Sequence, residues 1–128
     1  MTGLIWTMQI IHYPLFARVA DLGGYETENI RITAWLVMPP MAVELVIAAA
    51  LALRTPQQIP RGEAWTGLAL VLAIWLSTFF FQAPRHVLLT HGADAQVISF
   101  LIATNWIRTI AWTARGGIAL HMLERALP

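Results

Sequence analysis

His12, Glu44, Asn105 and Arg108 are the residues of this chain whose types and placement could do chemistry. Each is carried inside a long apolar stretch, where an ionisable group is costly and is kept for a partner or a function. His12 can serve as a general base beside Tyr13, while Asn105 and Arg108 hold an oxyanion or enolate in a dry pocket. His12, Glu44 and His86 also supply the residue types of a two-histidine, one-carboxylate set for a non-haem metal. His12 and His86 are the types that ligate haem iron. The residues leave three states open: no cofactor, haem, or a non-haem metal. The paired Glu-x-x-His signature of a di-iron centre is absent.

The spacing gathers further residues around these four. Gln9, His12, Tyr13 and Phe16 recur at helical spacing on one face, as do Trp75, Thr78, Gln82 and His86. Asn105, Arg108, Trp112 and Arg115 make a third such stripe. Tyr13, Gln82, His86 and Trp112 are therefore the expected lining of a polar, aromatic pocket. Counting inwards from the expected helix ends, His12 and Asn105 lie about ten residues deep, Arg108 about thirteen and Glu44 about fourteen. At 1.5 Å per residue the four share a slab roughly 6 Å thick, which makes Glu44 and Arg108 natural partners. That pair can equally be a structural ion pair that fixes helix register. The histidines can equally bond backbone carbonyls freed by nearby prolines, and Asn105 can be interhelical glue.

The rest of the chain explains why such residues stand out. Of 128 residues, 58% are hydrophobic and 12% charged, about half the charged share of a soluble domain, and the mean hydropathy is +0.63. A net charge of +1 offers no basic surface for nucleic acid. With no cysteine, disulfides, thiolate metal sites and cysteine nucleophiles are excluded. All eight cations are arginine, the cation better suited to bidentate contacts at low dielectric.

The elements that position the polar residues follow from these apolar runs. A membrane span takes about 20 apolar residues, and four are expected, at about 2–21, 30–53, 64–90 and 95–125. Leu22-Gly23-Gly24 ends the first, and Tyr25-Glu26-Thr27-Glu28-Asn29 reads as a polar loop. Pro39-Pro40 should kink the second. His91-Gly92 stops the third and Asp94 caps the fourth. The apolar N-terminus lacks a cationic leader and a clean cleavage site, so it reads as a retained first span. Short connections then give an all-α membrane protein, a single domain formed as an antiparallel four-transmembrane-helix bundle. Arginine counting leans towards cytoplasmic termini. Ile30-Arg31-Ile32-Thr33-Ala34-Trp35 also resembles Ile107-Arg108-Thr109-Ile110-Ala111-Trp112, an echo of a helical hairpin.

The second half runs Gln82-Ala-Pro84-Arg-His86, Gly92-Ala-Asp94, Thr104-Asn105-Trp106-Ile107-Arg108-Thr109, then Trp112 and Arg115. That order resembles small four-helix bacterial membrane proteins of the anthrone-oxygenase-like family. The likeness implies a bacterial inner-membrane oxidoreductase or oxygenase acting on a polycyclic or quinone-like molecule, with Gln82, His86, Asn105 and Arg108 in its site. His12-Tyr13-Pro14 and Pro39-Pro40-Met-Ala-Val-Glu44 depart from that pattern. Expected partners are the bilayer and an apolar small molecule, with a homo-oligomer or larger membrane complex open. The competing expectation is an accessory subunit of a larger complex, or a transport or channel component, for which Gly116-Gly117 would allow close helix packing.

Overall fold

The computed structural model describes residues 1–127, and 87% of the chain is helical, with no strand among the described residues. Four helices account for this. Helix α1 spans residues 2–18 and changes pitch along its length: an α-helix at Thr2–Thr7, a π-turn at Met8–His12, an α-turn at Tyr13–Leu15 and a 3₁₀ turn at Phe16–Arg18. Helix α2 runs from Leu22 to Leu53. Helix α3 runs from Arg61 to Leu89, with its own π-turn at Thr78–Gln82. Helix α4 runs from Ala95 to Ala126.

Both π-turns have the same cause. Each ends two residues before a proline, Pro14 or Pro84. A proline ring clashes with the carbonyl four residues back and leaves it without a donor, here the carbonyls of Ile10 and Phe80. Widening the turn by one residue relieves that clash, and it changes which side chains face inwards. Gln9 and Gln82 are buried as a result.

Helix α2 starts eight residues before the expected Ile30. Asp21 caps it by accepting a hydrogen bond from the Gly24 N–H at 3.0 Å, which satisfies one of the free donors of the first turn. The segment from Tyr25 to Asn29 is therefore helix, not loop. Its buried positions, Leu22, Glu26, Asn29, Val37 and Met41, keep helical spacing on one face. Pro39 and Pro40 lie within an unbroken helical assignment. The carbonyls they leave without donors belong to Trp35 and Leu36, on the exposed side.

The helices pack in opposed directions: α1 on α4, α2 on α3, and α3 on α4. Thr2 donates to the Trp112 carbonyl at 3.1 Å and Trp6 Nε1 to Thr113 Oγ1 at 3.0 Å, which ties α1 to α4. At the far end of α3 and α4, Glu63 meets His121 and Arg125. Gly23 backs onto the Thr90 carbonyl so closely that a Cβ there would stand 2.9 Å from it, which brings the start of α2 against the end of α3. Helices α1 and α2 do not pack closely, and a cleft lies between them.

The outer surface is strongly apolar, and polar groups are gathered inside beside two buried apolar clusters. Large apolar side chains face outwards on every helix, among them Ile10, Trp35, Val46, Phe80 and Ile110. The interior holds Gln9, Glu26, Asn29, Gln82, Asn105, Arg108, Thr109 and Arg115. Helices α2 and α3 are each long and apolar enough to cross a membrane. Helix α1 is shorter, and α4 carries Arg108 and Arg115 within its apolar stretch.

Candidate functional site

The interior polar groups form two connected sets near the end of the molecule that holds the 19–21 and 90–94 connections. The first begins at Tyr13, whose hydroxyl lies 3.4 Å from His86 Nε2. His86 Nδ1 contacts Glu26 Oε1 directly. Asn29 donates to the other Glu26 oxygen at 3.0 Å, and Thr33 donates to Asn29 Oδ1 at 3.0 Å. Glu26 is 0% exposed. A carboxylate removed from water needs donors on its oxygens, and here both oxygens have one. The arrangement fixes the orientation of the His86 ring. Hydroxyl, imidazole and carboxylate in series are the elements of a base activated by a carboxylate.

The second set is an amide network between α1 and α4. Asn105 Nδ2 donates to Gln9 Oε1 at 2.9 Å, and Gln9 Nε2 donates to the Ile102 carbonyl at 3.2 Å. From α3, Gln82 makes a separate contact with α4 by donating to Thr104 Oγ1 at 2.8 Å. Arg108 Nη1 donates to Asn105 Oδ1 at 3.3 Å, while its Nε is buried without a partner. Helical side chains lean towards the N-terminus, so Arg108 reaches back one turn to Asn105, and it lines the same cleft as Tyr13. The two sets therefore meet at the cleft.

Both border a cleft of about 200 Å³ between α1, α2 and α3. Its polar end is made by Tyr13, His86, Asn29 and Arg108; Leu4, Met8, Val37 and Met38 line its apolar length. The expected site residues are thus largely gathered: Tyr13, Gln82, His86 and Arg108 line the cleft, and Asn105 stands directly behind Arg108. His12 meets Phe16 edge-to-face at 5.0 Å between ring centres, with its Nε2 buried and unpartnered. The histidine that meets the Tyr13 hydroxyl is His86 rather than His12. Trp112 is buried in an apolar cluster with Ile5, Val37 and Met41 and does not itself line the cleft.

Glu44 does not join this layer. Its cation is Arg115, at 3.5 Å, instead of Arg108. The displacement follows from the true start of α2: Glu44 is 22 residues into the helix, not fourteen, which puts it about 12 Å deeper. Arg115 is only 3% exposed, and it passes beside Gly67, where an added Cβ would stand 3.7 Å from the guanidinium, to reach Glu44. The proposed metal set of His12, Glu44 and His86 is accordingly not assembled, and no cluster of three His, Asp or Glu suited to a metal occurs among the described residues. Both ring nitrogens of His86 are already engaged.

Glu26, Asn29 and Thr33 are the members of this polar set that sequence reasoning missed. Their spacing of three and four was visible, but Gly23-Gly24 and five polar neighbours read as a loop. Asp21 three residues ahead of Gly24 was the signal of a capped helix start. No protein-family model, curated protein or solved structure matches this chain.

Proposed function

We propose that this chain is a small integral membrane protein, an antiparallel bundle of four transmembrane helices, that acts as an oxidoreductase or oxygenase-like enzyme on an apolar aromatic or quinone-like molecule. The observation that carries the reading is the Tyr13–His86–Glu26 series ending in an apolar cleft beside Arg108. The membrane setting is supported by the strongly apolar outer surface, with charged and amide groups gathered within. A bilayer supplies the apolar solvent that such a surface requires.

The residues supply proton chemistry. A ring hydroxyl placed in the cleft gives its proton to His86 Nε2, displacing the Tyr13 hydroxyl, and Glu26 stabilises the imidazolium. Arg108, at the polar end of the cleft, stabilises the phenolate charge where water is excluded. The phenolate is electron-rich. Loss of a second proton and transfer of two electrons to dioxygen converts a quinol to a quinone and dioxygen to hydrogen peroxide. The residues singled out by the resemblance to anthrone-oxygenase-like proteins, Gln82, His86, Asn105 and Arg108, lie in or behind the cleft wall.

The test is oxygen consumption by the purified full chain in phosphatidylcholine nanodiscs supplied with a single-ring quinol. The wild type should accelerate quinol oxidation, and Arg108→Leu should lower the rate by about 10²–10³-fold while still inserting and purifying. No acceleration by the wild type would remove the oxidoreductase reading. Loss of Arg108→Leu through misfolding alone would favour a structural role for the polar layer.

A further inference from the structure

The cleft's shape and position along the helices narrow the class of molecule that it takes. Leu4 and Tyr13, both in its wall, are nine residues apart, so the cleft extends about 13 Å along α1. A length of that order and a volume of about 200 Å³ make it narrow. An engineered protein cavity of 150 Å³ already holds benzene, so this space takes one ring and part of a chain, not a fused polycycle.

Its polarity is graded along that axis. The polar end lies close to the 19–21 and 90–94 connections: Glu26 is four residues from the start of α2, and His86 three from the end of α3. The apolar end reaches Met38, sixteen residues into α2. Ala34, Ala83 and Val87 line the cleft and are exposed on the outer apolar surface, so the cleft opens sideways along α2. An amphiphile in the adjoining leaflet has the same orientation, polar head towards the helix ends and tail towards the middle of the bilayer. It can slide in without turning over and without passing through water.

We infer that the ligand is a single-ring phenol or quinol carrying an aliphatic tail, taken sideways from the bilayer, with its hydroxyl at His86 and Arg108 and its tail leaving past Ala34. This rests on the acid–base reading of Tyr13, His86 and Glu26 above, and adds the tail and the route. The small side chain of Ala34, between Ile30 and Met38 on the lining face of α2, keeps that route open.

The test compares 4-nitrophenol with 4-nitrophenol bearing a decyl chain, using the full chain in phosphatidylcholine nanodiscs. Phenolate absorbance at fixed pH reports ring binding, and concentrations are expressed as mole fractions in the bilayer so that partitioning cancels between variants. Ala34→Phe, and independently Ala83→Phe on the opposite lip, should weaken the decyl compound at least tenfold. Unsubstituted 4-nitrophenol should change less than threefold. An unchanged decyl affinity in both variants would overturn the sideways route while leaving the acid–base site standing. An equal loss for both compounds would overturn it too, because the ring and not the tail would then meet position 34. Absence of any phenolate signal from the wild type would remove the inference together with the reading beneath it.

Discussion

Glu26 is the residue on which the site turns. It is fully buried, yet it accepts from Asn29 and contacts His86, so its charge is matched on both oxygens. Replacing His86 with Gln removes the proton acceptor and should lower turnover by about 10²–10⁴-fold, whereas Tyr13→Phe should retain activity because substrate replaces the tyrosine hydroxyl. Steady-state rates of the two variants decide this; equal losses would make Tyr13 a participant. Glu44 belongs to a different interaction. Breaking its pair with Arg115 leaves a buried guanidinium with its Nε and Nη1 already unpartnered. A lost buried pair costs about 3–5 kcal/mol; Glu44 is a third exposed, so about 1–3 kcal/mol is expected for Glu44→Gln. Gly67→Leu should destabilise similarly by blocking the path of Arg115, and Gly67→Ala should not, since a Cβ there makes only ordinary contact at 3.7 Å. Thermal unfolding in nanodiscs measures all three.

At the scale of the helices, the prolines matter through the turns they widen. The π-turns at Met8–His12 and Thr78–Gln82 each carry one extra residue, which sets the faces of Gln9 and Gln82. Pro84→Ala should remove the clash that widens the turn, let α3 close into regular helix, and rotate everything before it by about 100° relative to His86. Circular dichroism should then show unchanged helicity while ring binding is lost; retained binding would mean that the π-turn has no part in the site. These turns were not legible in the sequence, because a proline signals a disrupted turn without saying which way it relaxes. The helices themselves were legible, since apolar runs and Gly, Pro and Asp punctuation mark them. The start of α2 was misread for a physical reason: where polar groups are gathered inside, a polar run is as compatible with the interior as with a loop. That one misplacement hid Glu26 and put Glu44 beside the wrong arginine. Asn105, Arg108, Gln82 and His86 were found because their helices were framed correctly.

At the scale of the molecule, three packed helix pairs leave one flank open on the cleft. The same outline predicts topology. The chain has no cysteine, so single cysteines at Gln58 and Ala93 give clean probes of the two ends. In intact cells a membrane-impermeant maleimide should label one and spare the other; equal labelling would contradict the four-span arrangement. The claim that unites these scales is that a buried carboxylate makes a histidine into a base inside an apolar cleft. It is tested most directly by the apparent pKa of 4-nitrophenol bound to the full chain in nanodiscs, compared with Glu26→Gln. Bound to the wild type, the phenol should ionise at lower pH than it does in the same bilayer without protein. Glu26→Gln should reverse that shift with helicity unchanged. A wild-type value equal to that of the protein-free bilayer would contradict the account.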